Sequence, residues 1–161
     1  MKEVLDSSLY GELEEKSCMK GRTGNLALDF LASRLAQESK KHGITLHMDM
    51  DINGTIQMED VEICAMAGNL FGNALEASER ILEGREIWVS MSYSKGYLQL
   101  QVKNRYDRKL QKDSMGAVKS SKEGLHGFGL RSVKRIVHKY HGHMEVSGEE
   151  EFFCAEIRMF C

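Results

Sequence analysis

The sequence predicts an α+β fold: a two-layer α/β sandwich in which a mixed sheet carries its helices on one face. Three observations predict it. Two stretches with apolar residues at helical spacing, 25–42 and 61–82, flank a short alternating segment at 44–50. Two pairs of alternating segments, 86–93 with 97–102 and 144–147 with 152–159, are each joined by a glycine-bearing turn and read as hairpins. A third helical pattern, 131–140, separates the two hairpins. Strands that alternate apolar with polar bury one side only, and helices of this spacing cover that side.

Taken in order, residues 1–21 hold Val4, Leu5, Leu9 and Leu13 at helix-compatible spacing amid charges, and read as an N-terminal linker or the end of a preceding helix. One domain is expected over residues 22–161. In 25–42, Leu28, Leu31, Ala32 and Leu35 share a face, and the pattern stops at Gly43, a good residue just past a helix end. The segment Ile44-Thr45-Leu46-His47-Met48-Asp49-Met50 has period two, as a half-buried strand does. At about 100° per residue, Ile63, Ala67, Leu70, Phe71, Ala74, Leu75 and Ile81 cover a broad apolar side of the next helix. Glu62, Asn69, Asn73, Glu76 and Arg80 form a narrow polar stripe on it. The first hairpin turns at Ser94-Lys95-Gly96 and the second through Gly148. Between them, residues 104–123 are polar, lysine-rich and without apolar periodicity, a length of loop that in a compact domain is often a functional lid.

Composition narrows the function classes. A chain of 161 residues, 42% hydrophobic and 29% charged, can bury one well-formed core. A net charge of −2 supplies no basic field for DNA or RNA. No run approaches the roughly 18 apolar residues needed to span a bilayer, and no secretory signal opens the chain; the piece is expected to be a soluble fragment without membrane insertion. Cys18, Cys64, Cys154 and Cys161 show no CxxC spacing, and Cys64 and Cys154 fall in apolar periodic segments, so buried free thiols in a reducing compartment are expected. Neither a paired-carboxylate hydrolase nor a Ser-His-Asp arrangement finds support.

Two motifs carry chemistry. The run Gly124-Leu125-His126-Gly127-Phe128-Gly129-Leu130 leads into the last helical pattern and reads as a glycine hinge feeding a helix N-terminus. Unpaired N–H groups and the helix dipole favour an anion there, and glycines let a phosphate approach the backbone. The plainer reading is an ordinary loop-to-helix turn. Upstream, Asn69 and Asn73 stand one turn apart on the polar stripe. Carboxamide oxygens are neutral, hard ligands suited to a magnesium ion that already carries phosphate oxygens and water. The plainer reading is a solvated face with a Glu76–Arg80 pair, worth a few tenths of a kcal/mol.

Together, Asn69-Leu70-Phe71-Gly72-Asn73-Ala74-Leu75-Glu76-Ala77 and His126-Gly127-Phe128-Gly129-Leu130 resemble the N box and second glycine box of the GHKL ATP-binding superfamily. Thr23-Gly24-Asn25-Leu26-Ala27-Leu28-Asp29 and Lys41-His42-Gly43-Ile44 add a likeness to sensor histidine kinases of the peptide-pheromone branch, over roughly residues 22–160. The resemblance implies the Bergerat fold, ATP and Mg²⁺ as cofactors, and Asn73 as the metal ligand. Asn69 stands where the superfamily's ATPases carry the glutamate that activates water, and an asparagine cannot be a general base; phosphoryl transfer to a side chain, with hydrolysis suppressed, is therefore implied, Asn69 orienting water or phosphate.

Asn104, in Val102-Lys103-Asn104-Arg105-Tyr106-Asp107, fills the place of the family's adenine-binding aspartate as a neutral, weaker acceptor, and the glycines that should follow are absent. Asp107 reads as a turn residue. Lys119 and Lys122 are either mobile charges for the β- or γ-phosphate or part of a solvated loop. His126 either donates to the triphosphate or caps the helix, and the resemblance implies further nucleotide contacts from Gly127, Phe128, Gly129 and Leu130. His138, His141 and His143 read as structural or solvated residues near a helix end. The implied activity is that of a histidine kinase catalytic domain, which passes the γ-phosphoryl group to a histidine on a dimerisation domain outside this chain and serves a response regulator indirectly. The parent is expected to be a homodimer in the cell membrane with this domain cytoplasmic. The alternatives are a stand-alone serine kinase of the anti-sigma-factor type and a non-catalytic nucleotide-binding module.

Overall fold

The computed structural model describes residues 23–107 and 123–161, leaving aside the side chains of 123–128. Its elements run α1 (Leu26–Lys41), β1 (Thr45–Asn53), α2 (Asp60–Glu79), β2 (Glu86–Ser94), β3 (Tyr97–Arg105), α3 (Glu123–Lys139), β4 (His143–Glu149) and β5 (Phe152–Phe160). The strands form one sheet in the order β1-β2-β3-β5-β4. The α2 crossover makes β1 parallel to β2, while β2–β3, β3–β5 and β5–β4 pair antiparallel. The fold is the expected α+β sandwich with a mixed sheet.

Local chemistry explains the ends of α1. Asn25 caps it, its Oδ1 accepting from the Leu28 N–H at 3.0 Å. Thr23 donates both its N–H and its hydroxyl to Asp29 Oδ1 at 2.9 and 2.8 Å, so the Thr23–Asp29 block closes on itself before the first turn. At the far end Gly43 takes φ +65° just past the His42 cap.

The sheet buries alternate residues. Ile87, Val89, Met91 and Tyr93 on β2, Leu98, Leu100 and Val102 on β3, and Ala155, Ile157 and Met159 on β5 face Leu28 and Leu35 of α1, Ile63, Met66, Leu70 and Phe71 of α2, and Val133 and Val137 of α3. Each Val, Leu, Ile, Phe or Met among them contributes about 1.5–3 kcal/mol when fully buried, which is why period two in the strands and 3.6 in the helices fix which faces meet. Two polar ties hold α1 parallel to α2. Asn25 Nδ2 donates to Asp60 Oδ1 at 3.4 Å where both helices begin. Where both end, the Arg85 guanidinium donates to His42 O at 2.7 Å, Ile81 O at 2.8 Å and Glu79 O at 3.3 Å, satisfying carbonyls that helix termini leave without partners.

The sheet's outer face carries Trp88, stacked on His47 at 5.3 Å and edge-on to Phe152 at 5.7 Å. Lys103 Nζ lies 4.3 Å from the Phe152 ring centre, and Glu86 reaches His47 and Arg105.

Several boundaries differ from expectation. β3 runs to Arg105, so Asn104 lies in a strand and not in a loop. α3 begins at Glu123, so the glycine run lies inside its first turns and is not a hinge ahead of it; intrahelical bonding outweighs the low helix propensity of glycine. The second hairpin turns at Glu150 and Glu151, with Glu150 at φ +50°. Gly148 instead pairs with Phe153 within β4, where a Cβ would sit 2.9 Å from the Tyr106 hydroxyl. Cys64 is exposed because it lies away from the Ile63–Met66–Ala67 face, and Cys154 is half-buried on the sheet's outer face. Burial, then the Glu156 charge, raises the Cys154 thiol above its ordinary pKa.

Candidate functional site

The polar stripe of α2 is the surface against which α3 lies. Glu62, near the start of α2, accepts hydrogen bonds from Lys139 Nζ and the Tyr140 hydroxyl at the end of α3. Two turns further along α2, Asn69 faces Gly129, near the start of α3: a Cβ on Gly129 would lie 3.0 Å from Asn69 Oδ1. The two helices are therefore antiparallel, and the beginning of α3 sits over the second half of α2.

That arrangement brings Asn69 together with Gly129. Asn69 donates from Nδ2 to Ala65 O within its own helix, so its carboxamide oxygen is turned toward α3. Asn73, half-buried, follows one turn later on the same face. A Cβ on Gly72, the residue before it, would meet nothing within 4 Å. Asn104 pairs with Ile87, at the end of the sheet where β2 begins and α2 ends. It is 1% exposed on the helix-facing side, and its Nδ2 donates to Arg105 O at 2.9 Å, so the oxygen is the atom it can offer a ligand.

No glycine follows Asn104 directly, and Tyr106 anchors the chain there. It is 7% exposed, its N–H donates to Glu151 O at 2.9 Å, and its ring meets Phe153 edge-on at 6.2 Å. The chain after Asn104 is thus fastened to the β4–β5 hairpin, and Asp107 is exposed beyond it. His126, Gly127 and Phe128 lie in the first turns of α3, with His126 and Phe128 side chains outside the described set; Gly129 is buried and Leu130 packs against the core. Lys119, Lys122 and most of the expected lid lie outside the described residues. At the opposite end of α3, His141 takes φ +51°, where the helix closes, its N–H donating to His138 O at 3.0 Å. His138, His141 and His143 are exposed.

Glu62 belongs to the polar stripe of α2, and nothing in the sequence singles out Arg85, Lys139 or Tyr140. The structure buries all but 14% of the Glu62 side chain. Lys139 first, and Tyr140 second, hold its carboxyl below the usual carboxylate range. In return Glu62 pushes the Tyr140 phenol up to about 12. No local signal marks this cluster, because its partners meet only after α3 has docked on α2.

A family model described as a GHKL domain matches residues 58–159, from just before α2 to the end of β5. The chain belongs to the GHKL family. Among solved structures, this GHKL chain is similar to the catalytic domain of histidine kinase ThkA, with TM-score 0.62 and 16% identity over 86% of this chain and 93% of that one. It is also similar to full-length ShkA in complex with AMPPNP, with TM-score 0.58 and 18% identity over 84% of this chain and 30% of ShkA. A third likeness is Acinetobacter baumannii histidine kinase AdeS, with TM-score 0.54 and 14% identity over 83% of this chain and 64% of that one. At such identities the likeness speaks for the fold. No curated protein matches the chain. Among the described residues no helix is long and apolar enough to cross a membrane.

Proposed function

We propose that the chain, as a domain over residues 22–161, binds Mg·ATP between α2 and α3 and donates the γ-phosphoryl group to a histidine on a dimerisation domain outside it. The observation that carries this reading is the pair of carboxamides one turn apart on α2, with Asn69 set against Gly129 of α3. A neutral donor set of this kind fits a metal already neutralised by phosphate oxygens, and Asn73 would hold it. When bound, the metal supplies charge stabilisation for the transferring group.

The chain's own residues divide the remaining work. Asn104 offers a buried carboxamide oxygen to the adenine amino group. Leu130 packs against the core beside the glycine run and fixes the start of α3. Asn69, unable to take a proton from water, orients what lies beside Gly129 without activating hydrolysis. Lys119, Lys122 and His126 complete this reading as charge-assisted contacts to the phosphates.

The short blocks at 23–29, 41–44 and 126–130 support the peptide-pheromone branch, with a homodimeric parent in the cell membrane, this domain on its cytoplasmic side, and a response regulator downstream. ThkA itself has been solved with the response regulator TrrA, a structure to which this chain is similar with TM-score 0.59. Titrating ATP into the chain with and without Mg²⁺, then mixing it with a histidine-bearing dimerisation domain and radiolabelled ATP, tests both halves. Mg²⁺-dependent binding and labelling of the added domain are expected. Binding without transfer to any histidine would leave a nucleotide-binding module, and labelling of a serine would move the reading to the anti-sigma-factor type.

A further inference from the structure

Val133, Ile136 and Val137 of α3 are buried in the interior, but the hydrophobic attraction that holds them there carries no direction. One residue of sliding moves a helix by about 1.5 Å, and the ten residues between Gly129 and Lys139 span roughly 15 Å. A tilt of ~4° about the far end would therefore displace the near end by about 1 Å, more than the ~0.5 Å tolerance of a working site. Something directional has to fix α3 along its axis.

The Glu62 cluster does so. Both carboxylate oxygens are engaged, one by Lys139 Nζ and the other by the Tyr140 hydroxyl. Charge-assisted bonds of this type are short and geometrically demanding. The cluster sits two turns of α2, roughly 10 Å, away from Asn69 on the same stripe. We propose that Glu62 is a positioning residue for the nucleotide site: by holding the C-terminal end of α3, it sets how the glycine run at the other end lies against Asn69 and Asn73. The proposal rests on the nucleotide reading above.

The test is the affinity of the chain for Mg·AMPPNP in Glu62→Ala, Glu62→Gln and Tyr140→Phe, each measured at a temperature where its thermal melt shows it fully folded. Glu62→Ala is expected to weaken binding about tenfold. Glu62→Gln and Tyr140→Phe, which keep part of the cluster, should weaken it about threefold. Combining Glu62→Ala with Tyr140→Phe should cost no more than Glu62→Ala alone, because the two residues act as one unit. A merely structural role would lower the melting temperature and leave the affinity of the folded fraction unchanged. Should Glu62→Ala fail to fold, the two milder variants make the same comparison. Affinities within twofold of wild type in folded variants would overturn the positioning role alone. Failure of the wild-type chain to bind Mg·AMPPNP would overturn the nucleotide reading and this proposal with it.

Discussion

Gly129→Ala isolates the contact on which the site reading depends. A Cβ there would stand 3.0 Å from Asn69 Oδ1, 3.5 Å from its Cγ and 3.7 Å from its Cβ. The first distance is short of ordinary contact by a few tenths of an ångström. Asn69 cannot easily yield, because its Nδ2 is bonded to Ala65 O. Two opposing effects follow for stability: alanine gains about 1 kcal/mol over glycine inside a helix, and overpacking costs about 1–3 kcal/mol. The net loss should be about 2 kcal/mol or less, so the variant folds. Binding has no such offset, because the displaced carboxamide loses its alignment. One misplaced hydrogen bond of ~1.4 kcal/mol is a tenfold loss of affinity. Calorimetric titration of Mg·ATP, paired with a thermal melt, reads both quantities. In an Asn69→Ala background the methyl group meets no oxygen, and the same Gly129→Ala change should then stabilise by about 1 kcal/mol. A Gly129→Ala variant with unchanged affinity, or a destabilisation that persists without the Asn69 side chain, would refute the reasoning.

Four other outcomes are expected. Asn73→Ala should weaken ATP binding in the presence of Mg²⁺ and leave the Mg²⁺-free affinity nearly unchanged; paired titrations decide it, and the melting temperature should move little for a polar truncation on a helix surface. The isolated chain saturated with Mg·ATP should release negligible phosphate in a coupled assay, since Asn69 has no basic lone pair. Arg85→Ala removes a cation bonded to three carbonyls at two helix ends; a loss of about 2 kcal/mol and a melting temperature lower by about 4–8 °C should result. The Glu62–Tyr140 cluster gives a pH signature. Glu62 is lowered from 4.5, so its stabilisation is complete above that value and fades as pH falls through the lowered pKa. Tyr140 is raised from 10.0 to about 12, so its stabilisation is complete below 10 and fades as pH rises toward 12. Denaturant melts across pH should show the gap between wild type and Glu62→Ala flat from about pH 6 to 9 and narrowing on either side.

What the sequence revealed depended on the range of the interaction. Alternation in β2 and β3 and the 3.6 period of α1 and α2 are local, and the strands, the first hairpin and the one-sided helix layer followed from them. Asn69 and Asn73 were legible because one turn of helix places them together. The start of α3 was not, because glycine's local preference argued for a loop where intrahelical bonding continues the helix through the glycine run. Gly148 misled for a related reason: its missing side chain serves the Tyr106 hydroxyl across the sheet and not a turn. Arg85 and Glu62 work entirely through partners distant in sequence, so their neighbours carry no trace of them. Cys64 shows the limit of composition, since a residue type that is usually buried can fall on the wrong side of its helix.

The stacked ring of Trp88 has a practical consequence. It is the chain's single tryptophan, and it lies on the sheet face turned away from the helices. Its emission therefore reports the integrity of the sheet surface and is indifferent to events between α2 and α3. Far-UV ellipticity, by contrast, is dominated by the helices. The protein thus carries separate optical labels for its two layers. Coincident melts by the two signals would establish that sheet and helix layer dissolve together, and a helix signal lost first would identify the helix layer as the softer one.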